Sequence, residues 1–285
     1  MKNHVAIVGI VILLSAFILA DQSISWSSLL ASPMFISETK SVSTELTFKT
    51  LNLGGLVSIN FDDGFASAYQ NGWPIIKASG LPSTFYIVTN YLDHEGYMTN
   101  REVLAMEQAG VEIGAHSRTH PFLAQTDKYD LPWQIEGSRT DLLKLGVKKV
   151  ETFAYPYGSE NKQVVEATKK AGFIGARAFD LGLNDKETNP WLLHRWGVTL
   201  NNSWPEIKAE IDLAMRNKKW LILVFLLIDE DGNSISVRHE VLQQVVDYLK
   251  EQKILVVTTA EGLRLLHPEN LITPTATSTK SGHSS

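Results

Sequence analysis

"LVSINFDDGFASAY", residues 56–69, carries a short, mostly apolar run into two adjacent carboxylates, Asp62 and Asp63, and then a glycine. Residues 56–61 have the length and β-branched content of a buried strand, and Asp-Asp-Gly reads as the turn that leaves it. Six further short apolar runs look alike: "STFYIV" (83–88), "VEIGA" (111–115), "ETFAY" (151–155), "FIGARAF" (173–179), "LILVFLL" (221–227) and "ILVVTT" (254–259). "HRWGVTL" (194–200) is an extra candidate. Between them lie helix starts: Thr99 with Glu102, Ser203 with Glu206 and Thr258 with Glu261 fit the capping box, in which hydroxyl and carboxylate each satisfy an unpaired backbone amide. Gly80, Gly110, Gly146 and Gly172 sit where those helices should stop. Strand then helix, repeated about seven times over short links, predicts an α/β fold with a parallel sheet, closed into a barrel or doubly wound. In such folds chemistry collects at the C-terminal ends of the strands.

Composition fits a globular protein: 285 residues, 44% hydrophobic, 20% charged, with a formal net charge of -5 that argues against a nucleic-acid partner. No cysteine is present, so a transition metal would be held by histidine and carboxylate. Residues 1–23 pair a basic start with an uncharged apolar run from Val5 to Ala20, short for a bilayer span, and read as a signal peptide or an N-terminal anchor. Export, with the chain secreted or membrane-anchored through residues 5–20, is the working expectation. Residues 24–53 read as a spacer with short strands, 54–267 as the folded domain, and 268–285 as a flexible Ser/Thr-rich tail.

The strand ends bring together Asp62 and Asp63 after the first strand, His116 and His120 after the third, and "YPYG" (155–158) after the fourth. Gly114 before the histidines and Pro121 after them argue for a loop rather than a helix face. Two neutral imidazoles and one carboxylate make the three-ligand set that leaves a catalytic zinc a position for water or substrate. Adjacent side chains at a strand end point apart, so one aspartate of the pair can face a metal while the other takes a proton from water. Taken singly, each motif is weak. "FDDG" is a common turn, an H-x-x-x-H with Ser117 after the first histidine lacks the glutamate of the zinc proteases, and "YPYG" is a rigid turn. Their order along the chain, each at a strand end, is what gives them weight.

"INFDDGF", "EIGAHSRTHPFL" and "FAYPYG" resemble the first three motifs of the polysaccharide deacetylases, also called the NodB-homology domain or carbohydrate esterase family 4. The resemblance covers roughly residues 54–267. It implies a distorted (β/α)7 barrel, a divalent metal ion, usually zinc with cobalt or nickel as alternatives, and removal of acetyl groups from N-acetylated or O-acetylated sugars. Carried over, Asp62 is the catalytic base, and Asp63, His116 and His120 are the metal ligands. The backbone amide of Tyr157 stabilises the oxyanion, and Pro156 with Tyr157 walls the substrate groove. The partner would be an acetylated polysaccharide such as chitin, peptidoglycan or poly-N-acetylglucosamine, and the chain is expected to be a monomer.

Two positions depart from the pattern. The arginine that often opens the third motif and braces the catalytic aspartate is Ala154 here, and Arg195 in "HRWGV" is the candidate to supply that charge from elsewhere. "LILVFLLID" (221–229) resembles the motif that carries the general-acid histidine, yet its position is Leu226, and His194 and His239 lie at no matching strand end. General acid-base help is worth about a hundred- to ten-thousand-fold in rate, so amide cleavage would suffer more than ester cleavage. Three readings follow: a deacetylase weakened or redirected by Leu226, a polysaccharide-binding pseudoenzyme that keeps the metal site, and an exported metal-binding protein. The last leaves "YPYG" and the rim candidates Tyr91 and Trp73 unexplained.

Overall fold

A computed structural model describes residues 54–229 and 232–268. The leader or anchor at 1–23, the spacer at 24–53 and all but the first residue of the tail lie outside the described residues. Among those described, no helix is long and apolar enough to cross a membrane.

Seven parallel strands form the frame: β1 (Leu56–Phe61), β2 (Thr84–Ile87), β3 (Glu112–Ala115), β4 (Thr152–Ala154), β5 (Gly175–Leu181), β6 (Leu193–Gly197) and β7 (Trp220–Phe225). They pair in chain order, and β7 pairs back onto β1 through six registered pairs, Leu56 with Trp220 to Phe61 with Phe225. The sheet is thereby a closed seven-stranded barrel, the α/β form expected. β1 and β7 are buried along their whole length, which suits near-continuous apolar runs covered on both faces. Helices α1 (Trp73–Ser79), α2 (Asn100–Gln108), α3 (Leu131–Leu145), α4 (Lys162–Lys170), α5 (Trp204–Asn217), α6 (His239–Glu251) and α7 (Thr259–Leu266) accompany the strands. A two-stranded pair, β8 (Leu227–Ile228) with β9 (Ser236–Val237), follows β7.

Local signals stand where the sequence puts them. Thr99, Ser203 and Thr258 head α2, α5 and α7, each with its glutamate carboxylate accepting from the cap residue's backbone N–H. Gly80 and Gly146 end α1 and α3 at φ 71° and 119°, backbone that a side chain would strain. Trp73, a rim candidate from sequence, is instead buried in the core at the start of α1.

"ILVVTT" is shorter as a strand than its composition suggests. Only β10 (Leu255–Val256) pairs, against the first two residues of β1. β1 meets β2 only at Asn60 and Phe61, so the lower half of that edge is open to β10, while Thr258 is already committed to capping α7. The base of the barrel is then locked by polar groups. Ser58 Oγ donates to Val257 O at 2.7 Å and accepts from Trp220 Nε1 at 2.9 Å. The Glu112 carboxylate accepts from Thr84 Oγ1 at 3.0 Å and from the Ala260 N–H at 2.9 Å, in the first turn of α7. Burial pushes the Glu112 carboxyl up, against the pull of those hydrogen bonds.

Gly262 of α7 lies over the buried Trp220 ring, where an added Cβ would come within 2.4 Å of a ring carbon. Helix propensity favours alanine over glycine by about 1 kcal/mol, but overpacking against a ring that cannot move costs about 1–3 kcal/mol. Gly262→Ala is therefore expected to destabilise the protein, read as a lower midpoint in urea unfolding at an unchanged slope.

Candidate active site

Asp62 and Asp63 follow β1 directly, and Asp63 (φ 69°) and Gly64 (φ 77°) both take left-handed backbone. That turn separates the neighbouring carboxylates. His116 is the first residue after β3, and the chain then runs as a loop, as Gly114 and Pro121 suggested, with Ser117 (φ 63°) and His120 (φ 56°) also left-handed. Such backbone persists only where surroundings impose it. Here Ser117 Oγ accepts from the His120 N–H at 2.9 Å, and Gln134 Oε1 on α3 accepts from the Arg118 and Thr119 N–H groups at 3.2 and 3.1 Å. Arg118 forks onto Asp141 of α3 at 2.6 and 2.8 Å and stacks over Trp133. Residues 131–145 thus clamp the histidine loop.

The three side chains converge. Asp63 Oδ1 lies 3.3 Å from His116 Nε2 and 3.2 Å from His120 Nε2, and the two Nε2 atoms are 3.2 Å apart. Among the described residues this is the cluster able to hold a metal ion. His116 Nδ1 is 2.7 Å from the Ala154 carbonyl, which can only accept, so the ring hydrogen sits on Nδ1. In the neutral ring Nε2 then offers its lone pair toward the other two donors, and converging lone pairs need a cation. The donor set fits a divalent ion. Were both rings protonated instead, burial would raise the Asp63 carboxyl, but the hydrogen bonds and charges of His116 and His120 would outweigh it and hold the group below the ordinary carboxylate range.

Asp62 turns to a different partner from the one its sequence suggested. Both of its oxygens accept from Nη2 of Arg177, at 2.7 and 2.6 Å, and both residues are buried. Arg177 lies on β5 directly beside Ala154 in the β4–β5 register, so the guanidinium absent at 154 arrives from the adjacent strand. Arg195 is not the brace: its guanidinium lies 3.5 Å over the Phe179 ring and its Nε has no hydrogen-bond partner. The corrected residue had one signal in the sequence, a lone charge amid the small and apolar residues of "FIGARAF", since a buried charge requires a partner.

The Pro156–Gly158 turn carries Tyr157 at φ 56°. Tyr157 is 53% exposed, stacks on Phe122 at 4.2 Å and meets the edge of His120 at 4.4 Å. Pro156 is buried, so the exposed wall of this turn is Tyr157 with Phe122, not Pro156. Across the site, Tyr91 donates to the Thr119 carbonyl at 3.2 Å and packs on Tyr97, which stacks on Phe65. Leu226 follows the last registered pair of β1 and β7, Phe61 with Phe225, and so stands beside Asp62, half-buried. His194 on β6 and His239 at the start of α6 are not in the metal cluster.

Comparison with known proteins agrees with this picture. Residues 52–176 match the family model described as "Polysaccharide deacetylase". A poly-beta-1,6-N-acetyl-D-glucosamine N-deacetylase of Staphylococcus aureus is 29% identical over 148 residues, 47% of this chain and 50% of that protein. The chain spans about half the length of the curated relatives it matches. Among solved structures, the Xyl-CE4 domain of a multidomain xylanase from the hindgut metagenome of Trinervitermes trinervoides is similar at TM-score 0.53 and 19% identity, covering 77% of this chain and 93% of that one. A family 4 carbohydrate esterase from Bacillus anthracis gives 0.51 at 18% identity, covering 74% and 83%. These two neighbours share the barrel.

Removing the guanidinium would leave Asp62 buried and unpaired. Arg177→Met is expected to lose about 3–5 kcal/mol in chemical denaturation, whereas Arg177→Met with Asp62→Leu should recover most of it, because no charge is then stranded.

Proposed function

We propose, from the match of residues 52–176 to the polysaccharide deacetylase family model, that the chain is an exported, metal-dependent deacetylase that hydrolyses acetyl groups, foremost N-acetyl, from an extracellular polysaccharide. The observation that carries this reading is the convergence of Asp63, His116 and His120 beside a second carboxylate, Asp62, fixed by Arg177. Export rests on the apolar run 5–20, and a polymer of N-acetylglucosamine is favoured by the substrate named for the Staphylococcus aureus relative.

Asp63, His116 and His120 would hold the ion. Zinc suits the two-nitrogen, one-oxygen set best, with cobalt or nickel as substitutes. When bound, the ion polarises the acetyl carbonyl and lowers the pKa of water at the site. Asp62 takes the proton as water attacks. Arg177 fixes its orientation through one nitrogen, so each carboxylate oxygen keeps a lone pair for that proton. The Tyr157 backbone N–H is assigned to the oxyanion, where a pre-set donor is worth about 3–4 kcal/mol in the transition state. The Tyr157 and Phe122 rings supply flat apolar surface for a sugar face.

The weak step is departure of the amine. Leu226, beside Asp62, has no proton to give, and this favours a second reading, a pseudoenzyme that binds the polymer without turning it over. Zinc-loaded protein assayed on N-acetylglucosamine oligomers and on an acetyl ester separates the two. Turnover is expected on both, faster on the ester, lost with a chelator and in Asp62→Asn, and raised about a hundredfold or more on the amide by Leu226→His. No native turnover on either substrate, with activity gained in Leu226→His, would establish the pseudoenzyme instead.

A further inference from the structure

Helix α3 presents an exposed ring that the proposed reaction does not use. Trp133, in its first turn, is 47% exposed. Trp133, Gly137 and Asp141 recur every fourth residue and so share one face of the helix, and all three meet Arg118 of the histidine loop. The Arg118 guanidinium lies 4.8 Å from the Trp133 ring centre and forks onto Asp141 at 2.6 and 2.8 Å. It comes so close to Gly137 that an added Cβ there would stand 2.6 Å from its central carbon. Glycine weakens a helix interior, and its place here suits a flat cation laid against the backbone. Trp133 is thereby stacked on a fork that cannot swing away.

Holding the loop does not require that ring. Asp141 and Gln134 already take the hydrogen bonds of Arg118 and Thr119, and any apolar side chain at 133 would cover the guanidinium as well. The indole instead keeps much of its surface in water. With Arg118 neutralised by Asp141, the ring offers a broad, rigid face beside no unpaired charge, which suits the C–H side of a neutral sugar. A surface set before binding loses little in ordering when its ligand arrives.

The ring also lies on a path from the metal ligands. Consecutive Cα atoms stand about 3.8 Å apart, so Arg118 and Phe122, one before His120 and one after it, each lie within about 8 Å of it. Phe122 carries the exposed Tyr157 stack, and Arg118 carries Trp133. The Thr119 carbonyl accepts from Tyr91, and Thr119 Oγ1 accepts from Gln134 Nε2 at 2.7 Å, so the rim is continuous from the Tyr91 side to α3.

We propose that Trp133 is a platform for a neutral N-acetylated sugar of the same polymer, beyond the unit being deacetylated, so that the site selects long chains over short ones; this rests on the deacetylase reading above. A ring serving only to cover Arg118 would show no dependence on chain length.

The test is calorimetric binding of the full-length, zinc-loaded protein to a disaccharide and a hexasaccharide of N-acetylglucosamine. The native protein should bind the hexasaccharide about tenfold or more tightly than the disaccharide, and Trp133→Ala should weaken the hexasaccharide about tenfold while leaving the disaccharide within about twofold. Trp133→Leu still covers Arg118 but has no flat face, and should behave as the alanine variant does; Trp133→Phe should keep most of the native affinity. A hexasaccharide bound no more tightly than the disaccharide by the native protein would overturn the assignment without any variant. So would hexasaccharide affinity unchanged in Trp133→Ala or restored in Trp133→Leu, or an equal loss for both lengths, which marks a damaged histidine loop. Acetate release is read separately: its absence from both oligosaccharides would sink the hydrolase reading and leave the length preference standing.

Discussion

A carboxylate and a guanidinium 115 positions apart in sequence meet inside the barrel mouth with water largely excluded, and much of the site depends on that pair. Asp62 is brought by the first strand and Arg177 by the fifth, so they meet only when the intervening strands lie in register. An open sheet would leave each charge to solvent. Closure desolvates both, and desolvated charges must be paired closely or not at all. With Asp62 tied to Arg177, the left-handed turn at Asp63 leaves the second carboxylate to the histidines. One backbone turn thus divides two chemically identical neighbours between two environments.

Periodicity and local chemistry make most of the frame readable from the order of residues alone. Capping boxes depend on residues three apart, and glycine stops on one residue's freedom, so both survive translation into three dimensions unchanged. The Asp-Asp, His-His and Tyr-Pro-Tyr-Gly positions are legible for a related reason: each sits where a strand must end. Pairing across strands is not legible. Ala154 announces that a charge is missing and "FIGARAF" holds a charge in need of a partner, but joining the two depends on the β4–β5 register. The same holds for "ILVVTT", whose composition is that of a full strand while its neighbours leave room for two residues. Trp73 and Pro156 illustrate a third limit, since exposure is a property of packing and not of residue type.

Left-handed backbone gathers at this rim, at Asp63, Gly64, Ser117, His120, Tyr157 and Gly158. Outside glycine such conformations are costly, and here hydrogen bonds from Ser117 and Gln134 hold the histidine loop against relaxation. The outcome is a site whose donors are set before any ligand arrives, with little reorganisation left for the reaction. The one chemical gap is Leu226, next to the best-held group in the site. An alkoxide leaves with less help than an amine, so the gap bears on which bond is cut more than on whether acetyl groups can be recognised.

The adjacency of Ala154 and Arg177 has a consequence for how sequences of this fold can diverge. An arginine at 154, in register with 177 on the neighbouring strand, would start from the same level of the barrel as Arg177, so the charge could in principle move from one position to the other with the pair kept. The intermediate would carry two guanidinium groups near one aspartate. Arg195, stacked on Phe179 close enough to be repelled by Arg177, indicates that this mouth already tolerates such crowding. Searches that demand the charge at one column of an alignment would therefore miss lineages in which it has crossed to the next strand.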